Sequence, residues 1–174
     1  MKAAALSTMS MLDESTCYSP LNNTSRTIRL LLLSPALHQD DRRLQCDLKP
    51  VCLDDRPVYN ALSYAWGEND DLGLQIRVRG VLVGVRQNLW NALNCLRLKA
   101  KKSLWVDALC INQKDVHERN HQVSFMGTIY ENASVVLVWL DIQGSLLTTL
   151  TIKMQIYVSS VISEIVLLFS VLIF

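Results

Sequence analysis

SLWVDALCINQKDVHERNHQVSFMGTIYENASVVLVWL, residues 103–140, is the stretch that decides the fold. It opens on a short apolar run (104–106) and passes through a polar loop (107–114). A helical segment (115–130) and a second apolar run (134–140) complete it. Continuous apolar runs of this length fit strands buried on both faces of a parallel sheet, and the helix between them is long enough to make the crossover. The reading is a βαβ unit. Ligands of such units usually meet the loops at the carboxyl ends of the strands, so Asp107, Cys110, Asn112 and Gln113 stand where recognition or chemistry is expected.

Within the helix, Val116, Val123, Met126 and Tyr130 are expected to form a buried stripe. Asp115 followed three residues later by Glu118 resembles a capping box, with Glu118 reaching back to the cap amide. Arg119 lies in the first turn on the apolar side, where the helix dipole disfavours a cation. It needs an acceptor, and Asp107 at the end of the preceding strand is the expected partner, with a ligand-clamping role as the alternative. Cys110 with His117 and His121 raises a nucleophile reading beside the plainer one of a buried, inert thiol. Two histidines four residues apart lack a third ligand, so no metal is expected. The chain has no glycine-rich phosphate loop and no GxSxG elbow, which removes support for those enzyme classes.

Elsewhere the chain reads as one domain with tails: 174 residues, half of them hydrophobic, with a formal net charge of +1. That charge gives no general drive toward nucleic acid, and the basic group Arg97, Lys99, Lys101 and Lys102 fits a helix end. Five cysteines without disulfide-framework spacing point to a reducing compartment. The first residues do not form a secretory signal, so a cytoplasmic location is expected. Residues 1–17 read as a mobile leader, TIRLLLL (27–33) as a strand, and 44–53 as a short strand and turn. YNALSYAWG (59–67) reads as a core strand with Tyr59, Tyr64 and Trp66 as aromatic anchors; the functional alternative places Trp66 and Glu68 at the strand's exit, facing a pocket. Alternation on either side of Gly80 predicts a hairpin, after which Asn88 is expected to cap a helix with the stripe Leu89, Ala92, Leu93 and Leu96.

Taken together, YNALSYAWG, LWVDALCINQ (104–113), the Glu118–Arg119 pair and MGTIYENASVVLVWL (126–140) resemble the fungal heterokaryon incompatibility (HET) domain, with IRLLLL (28–33) fitting its opening strand. The resemblance spans about residues 18–141 and implies an α/β fold with a parallel or mixed sheet, of TIR- or flavodoxin-like βαβ architecture. It also implies a cytoplasmic effector of fungal non-self recognition and innate immunity that triggers programmed cell death. The matching motif positions are Tyr64, Trp66, Gly67, Asp107, Cys110, Asn112, Gln113, Glu118 and Arg119. Two modes of action follow from the likeness. One is self-association or protein-partner binding; the other is cleavage of NAD as substrate, with Glu118 or Glu68 as the catalytic glutamate.

Beyond Asp141 the chain departs from the family pattern. From Ile142 to Phe174 the charged residues are Lys153 and Glu164 alone. Residues 154–174 could nearly span a bilayer, which makes membrane association through this tail the alternative location. Read instead as a mis-spliced extension, the tail makes the protein a short or truncated family member.

Overall fold

The computed structural model describes residues 14–22, 24–35, 44–66, 73–97 and 102–139. Among these residues seven strands form one mixed sheet: β1 (Thr27–Leu33), β2 (Gln45–Cys52), β3 (Asn60–Tyr64), β4 (Gln75–Val78), β5 (Val81–Gly84), β6 (Lys102–Trp105) and β7 (Val135–Trp139). Their order across the sheet is β5-β4-β2-β1-β6-β3-β7. The helices are α1 (Gln87–Leu96), the single turn α2 (Asp107–Cys110), α3 (Val116–Ser124) and α4 (Met126–Asn132). The α/β class expected from the sequence is what the chain adopts.

The two apolar runs of the opening stretch become β6 and β7, but they are not neighbours. β3 lies between them, paired in parallel with each. The crossover through α2, α3 and α4 therefore passes over β3, whose Leu62, Ser63 and Tyr64 are buried. β1 runs antiparallel to both β2 and β6. Pro50 can sit within β2 because only Gln45 and Cys46 of that strand also pair with β4, which leaves the Pro50 end with a single neighbour. The β4–β5 hairpin turns on Arg79 and Gly80, both with positive φ (49° and 87°), as the primed two-residue turns require.

β2 and β3 are parallel, being joined through β1 and β6, yet only residues 53–59 connect them. Three strand spacings and the length of β3 must be crossed, roughly 20 Å, with a chain whose reach after its 3-10 turn (Leu53–Asp55) is about 23 Å. The link has little slack. Within it Arg56 caps the 3-10 turn in the left-handed region (φ 50°), its amide donating to the Leu53 carbonyl (3.0 Å), and Val58 is 81% exposed.

Several local expectations change. The segment read as one helix is two: Phe125 leaves helical geometry (φ −124°, ψ 20°), its amide turning to the Gln122 carbonyl (3.4 Å), while the Ser124 hydroxyl donates to the His121 carbonyl (2.7 Å). The stripe changes with it: Val116 is 52% exposed and Val123 is exposed, whereas Glu118 and Gln122 face inward. Met126 and Tyr130, on α4, are buried as expected. Asn88 is not the cap of α1; Arg86 precedes the helix, and the Asn88 amide donates to the Ala65 carbonyl (3.1 Å). The stripe Leu89, Ala92, Leu93 and Leu96 is buried. Of the segment read as a leader, Glu14–Cys17 form a 3-10 turn with Cys17 buried, and Glu14 accepts from the Gly84 amide (3.3 Å) in β5. Residues 1–13 and the tail, 140–174, lie outside the described residues. Among the described residues no helix is long and apolar enough to cross a membrane.

Candidate functional site

Two polar clusters meet near the carboxyl ends of β3 and β6. The first is built on Asp107, which opens the turn that follows β6. Its carboxylate accepts from the indole N–H of Trp66 (3.2 Å), just past the end of β3, and from the Ala108 amide (2.7 Å). The Gln113 side-chain amide donates to the Asp107 backbone carbonyl (2.9 Å) and closes the loop over it. The Arg86 guanidinium lies over the Trp66 ring, 5.1 Å from its centroid, as a cation over an aromatic face. Burial raises the Asp107 pKa to about 6, with the Ala108 and Trp66 hydrogen bonds pulling the other way. Buried Tyr64 and Tyr130 are shifted upward by burial first and then by the negative charge of Asp107. Asp107 does not pair with Arg119. That arginine is half-buried on α3 and forms no ion pair among the described residues, so Trp66 takes the place the sequence suggested for it.

The second cluster is centred on Arg29 and Glu118. Arg29 Nη1 donates to Glu118 Oε1 (2.5 Å) and Nη2 to Oε2 (2.9 Å), a bidentate pair whose side chains are 1% and 6% exposed. Glu118 Oε1 also accepts from the Asn112 amide (2.7 Å). Arg29 donates further to the carbonyls of Cys110 (3.2 Å) and Ser19, with the Tyr18 ring 5.1 Å from its guanidinium carbon. The cap of α3 is therefore only half of a capping box. The Asp115 carboxylate accepts from the amides of His117 (3.0 Å) and Glu118 (3.1 Å), while the Glu118 side chain turns away to Arg29. One turn further, the Gln122 amide donates to the Thr27 carbonyl (2.9 Å) and completes the seam between α3 and β1.

Cys110 is fully buried and its thiol pKa is pushed up to about 12, above all by desolvation. Its sulfur accepts from the Val106 amide (3.3 Å) and neither histidine bonds it. His117 is exposed and His121 packs edge-on against Phe125 (5.1 Å). A thiolate nucleophile has no support in this arrangement, and the inert buried thiol fits it. Among the described residues no cluster of histidine, cysteine and carboxylate side chains could hold a metal ion. Gly67 and Glu68 lie outside the described residues.

The match to known proteins falls on these same loops. The model of the family described as Heterokaryon incompatibility protein (HET) matches residues 59–160, more than half of the chain. Heterokaryon incompatibility protein 6, OR allele, of Neurospora crassa is 35% identical over 134 residues, covering 69% of this chain. The chain belongs to the heterokaryon incompatibility family. It spans 19% of the length of that relative. No solved structure matches it.

Within this HET chain the motif positions separate by role. Tyr64, Trp66, Asp107 and Gln113 belong to the Asp107 cluster, and Cys110, Asn112 and Glu118 to the arginine latch. Arg29 and Gln122 were not singled out from the sequence. The signal for Arg29 was present: a cation in the middle of TIRLLLL, a strand apolar on both faces, requires a buried acceptor. Its partner, 89 residues away, is set by the docking of α3 on β1.

Proposed function

We propose that this chain acts as a HET-domain effector of fungal non-self recognition, triggering programmed cell death through self-association or partner binding rather than through a reaction of its own. The name of the Neurospora relative supports the biological setting. The observation that carries the mode of action is the Glu118 latch. Both carboxylate oxygens are held by one buried guanidinium, and one of them also by a backbone amide. A glutamate that stabilises a developing cation on a ribose must reach substrate with an oxygen free. Glu118 is instead placed to hold α3, β1 and the 110–112 loop together. In this reading the loops around Trp66, Arg86 and Gln113 are the recognition surface, kept in shape by the Asp107 cluster beneath them.

The alternative is TIR-like cleavage of NAD, with Glu118 or Glu68 as the catalytic group. One experiment separates the two. Nicotinamide release from NAD and concentration-dependent assembly are measured on the full chain, beside Glu118→Gln and Glu68→Gln, with folding checked by circular dichroism. The effector reading expects assembly without nicotinamide release. Release that disappears in a folded glutamate variant would replace it with the enzymatic one.

A further inference from the structure

The link between β2 and β3 forms one wall of an open cavity of about 290 Å³ lined by Arg26, Leu53, Asp54, Arg56 and Asn132, the last residue of α4. It shares no residue with the Asp107 cluster or the arginine latch. Arg26 is paired with Asp54, both half exposed, while the Arg56 guanidinium forms no ion pair or hydrogen bond among the described residues. The lining carries two cations and one anion. Arg56 is also the left-handed cap that ends the 3-10 turn, its amide donating to the Leu53 carbonyl (3.0 Å), a conformation that glycine adopts without cost. Two residues on, Val58 is the most exposed large hydrophobic side chain among the described residues, next to the half-buried Pro57.

We propose that this cavity docks a carboxylate-bearing peptide segment of a partner protein, with Arg56 as the anchor for the carboxylate and Val58 as the apolar contact beside it. A cavity at the lower end of ligand-pocket volumes admits a side chain or two rather than a nucleotide. The intervening Asp54 and the chain's net charge of +1 disfavour a polyanion such as nucleic acid. The exposed valine adds an apolar contact that a free inorganic anion does not use. Planar guanidinium–carboxylate pairing supplies direction, and Asp54 acts as an internal competitor that holds Arg26 until the partner's carboxylate arrives.

The test is fluorescence polarisation on the full chain with a short fluorescein-labelled peptide of alternating leucine and glutamate, beside its glutamine counterpart. The glutamate peptide is expected to bind and the glutamine peptide not to. Arg56→Gln should weaken binding about tenfold, as expected for losing one charge-assisted anchor. Asp54→Asn should tighten it about twofold or more, because Arg26 is released. Arg56→Gly suits the left-handed backbone, so it should lose binding while its Tm holds or rises, which separates anchoring from folding. Equal binding of the two peptides, binding of neither, or an unaffected Arg56→Gly would overturn the proposal. So would displacement of the peptide by inorganic phosphate at matched ionic strength, which would make the cavity a free-anion site. None of these outcomes bears on Glu118, since the nicotinamide and assembly measurements stand apart.

Discussion

Replacing Glu118 by glutamine tests whether this residue holds the domain together. The substitution keeps the shape of the side chain and removes its charge, leaving Arg29 buried at 1% exposure with no anion beside it. Three hydrogen bonds converge on the carboxylate: two from Arg29 at 2.5 and 2.9 Å and one from the Asn112 amide at 2.7 Å. Glutamine can accept at one atom only, and its NH2 group then faces a donor. Breaking a buried pair from one side costs about 3–5 kcal/mol, because the remaining charge keeps its desolvation penalty. At roughly 2–4 °C per kcal/mol for a chain of this size, Tm should fall by about 10 °C or more. In urea, with a slope of about 2 kcal/mol per molar, the midpoint should drop by about 2 M. Arg29→Met should cost a similar amount, leaving Glu118 as the uncompensated charge. The double variant Arg29→Met/Glu118→Leu replaces the pair by apolar groups and should recover most of the loss, so a double-mutant cycle should give a coupling above about 2 kcal/mol. A cost below about 1 kcal/mol for Glu118→Gln, or a double variant as damaged as the two singles added together, would refute the latch.

Asp107 makes a pH prediction. Its folded pKa of about 6 lies above its ordinary 3.8 because burial disfavours the charge, so the folded protein binds this proton more tightly than the unfolded chain does. The resulting contribution to stability is complete below about pH 4 and is lost as pH rises through 6, by about 3 kcal/mol in all. Asp107→Asn should flatten that part of the stability–pH curve in urea titrations; an unchanged slope would count against it. Alkylation by iodoacetamide at pH 8, followed by mass spectrometry, should label partly exposed Cys52 in the native protein. Cys46 and Cys110, both pushed up to about 12 by burial, should be labelled only after denaturation. Gly80→Ala should cost about 1 kcal/mol in thermal melts: its φ is 87°, and a Cβ there would meet nothing within 4 Å, so the cost is conformational rather than steric.

Legibility differed between strands and helices for a physical reason. That a segment is a strand follows from its own apolar pattern and from local turns, as in the hairpin around Gly80 and the strand Thr27–Leu33. The helical stretch looked continuous because its apolar residues fit one period across Ser124. α3 ends there, and the face it turns inward is the one that places Glu118 on Arg29 and Gln122 on the Thr27 carbonyl, so Val116 and Val123 face outward. Asp107 and Glu118 were both recognised as important, but each was matched with the nearest plausible partner, Arg119 and the cap amide. Their actual partners, Trp66 and Arg29, lie 41 and 89 residues away.

By itself the sequence determined the α/β class, the two buried runs around a helical crossover, the hairpin and the family, because periodicity, turn chemistry and motif order are written along the chain. Only the tertiary structure decided that β3 enters between β6 and β7, that Arg29 closes on Glu118, and that the 53–59 link shares a cavity with the end of α4. Those outcomes depend on which elements stack and on how far a connection must reach. Both are set by burying the whole apolar surface at once, which no local stretch of residues encodes.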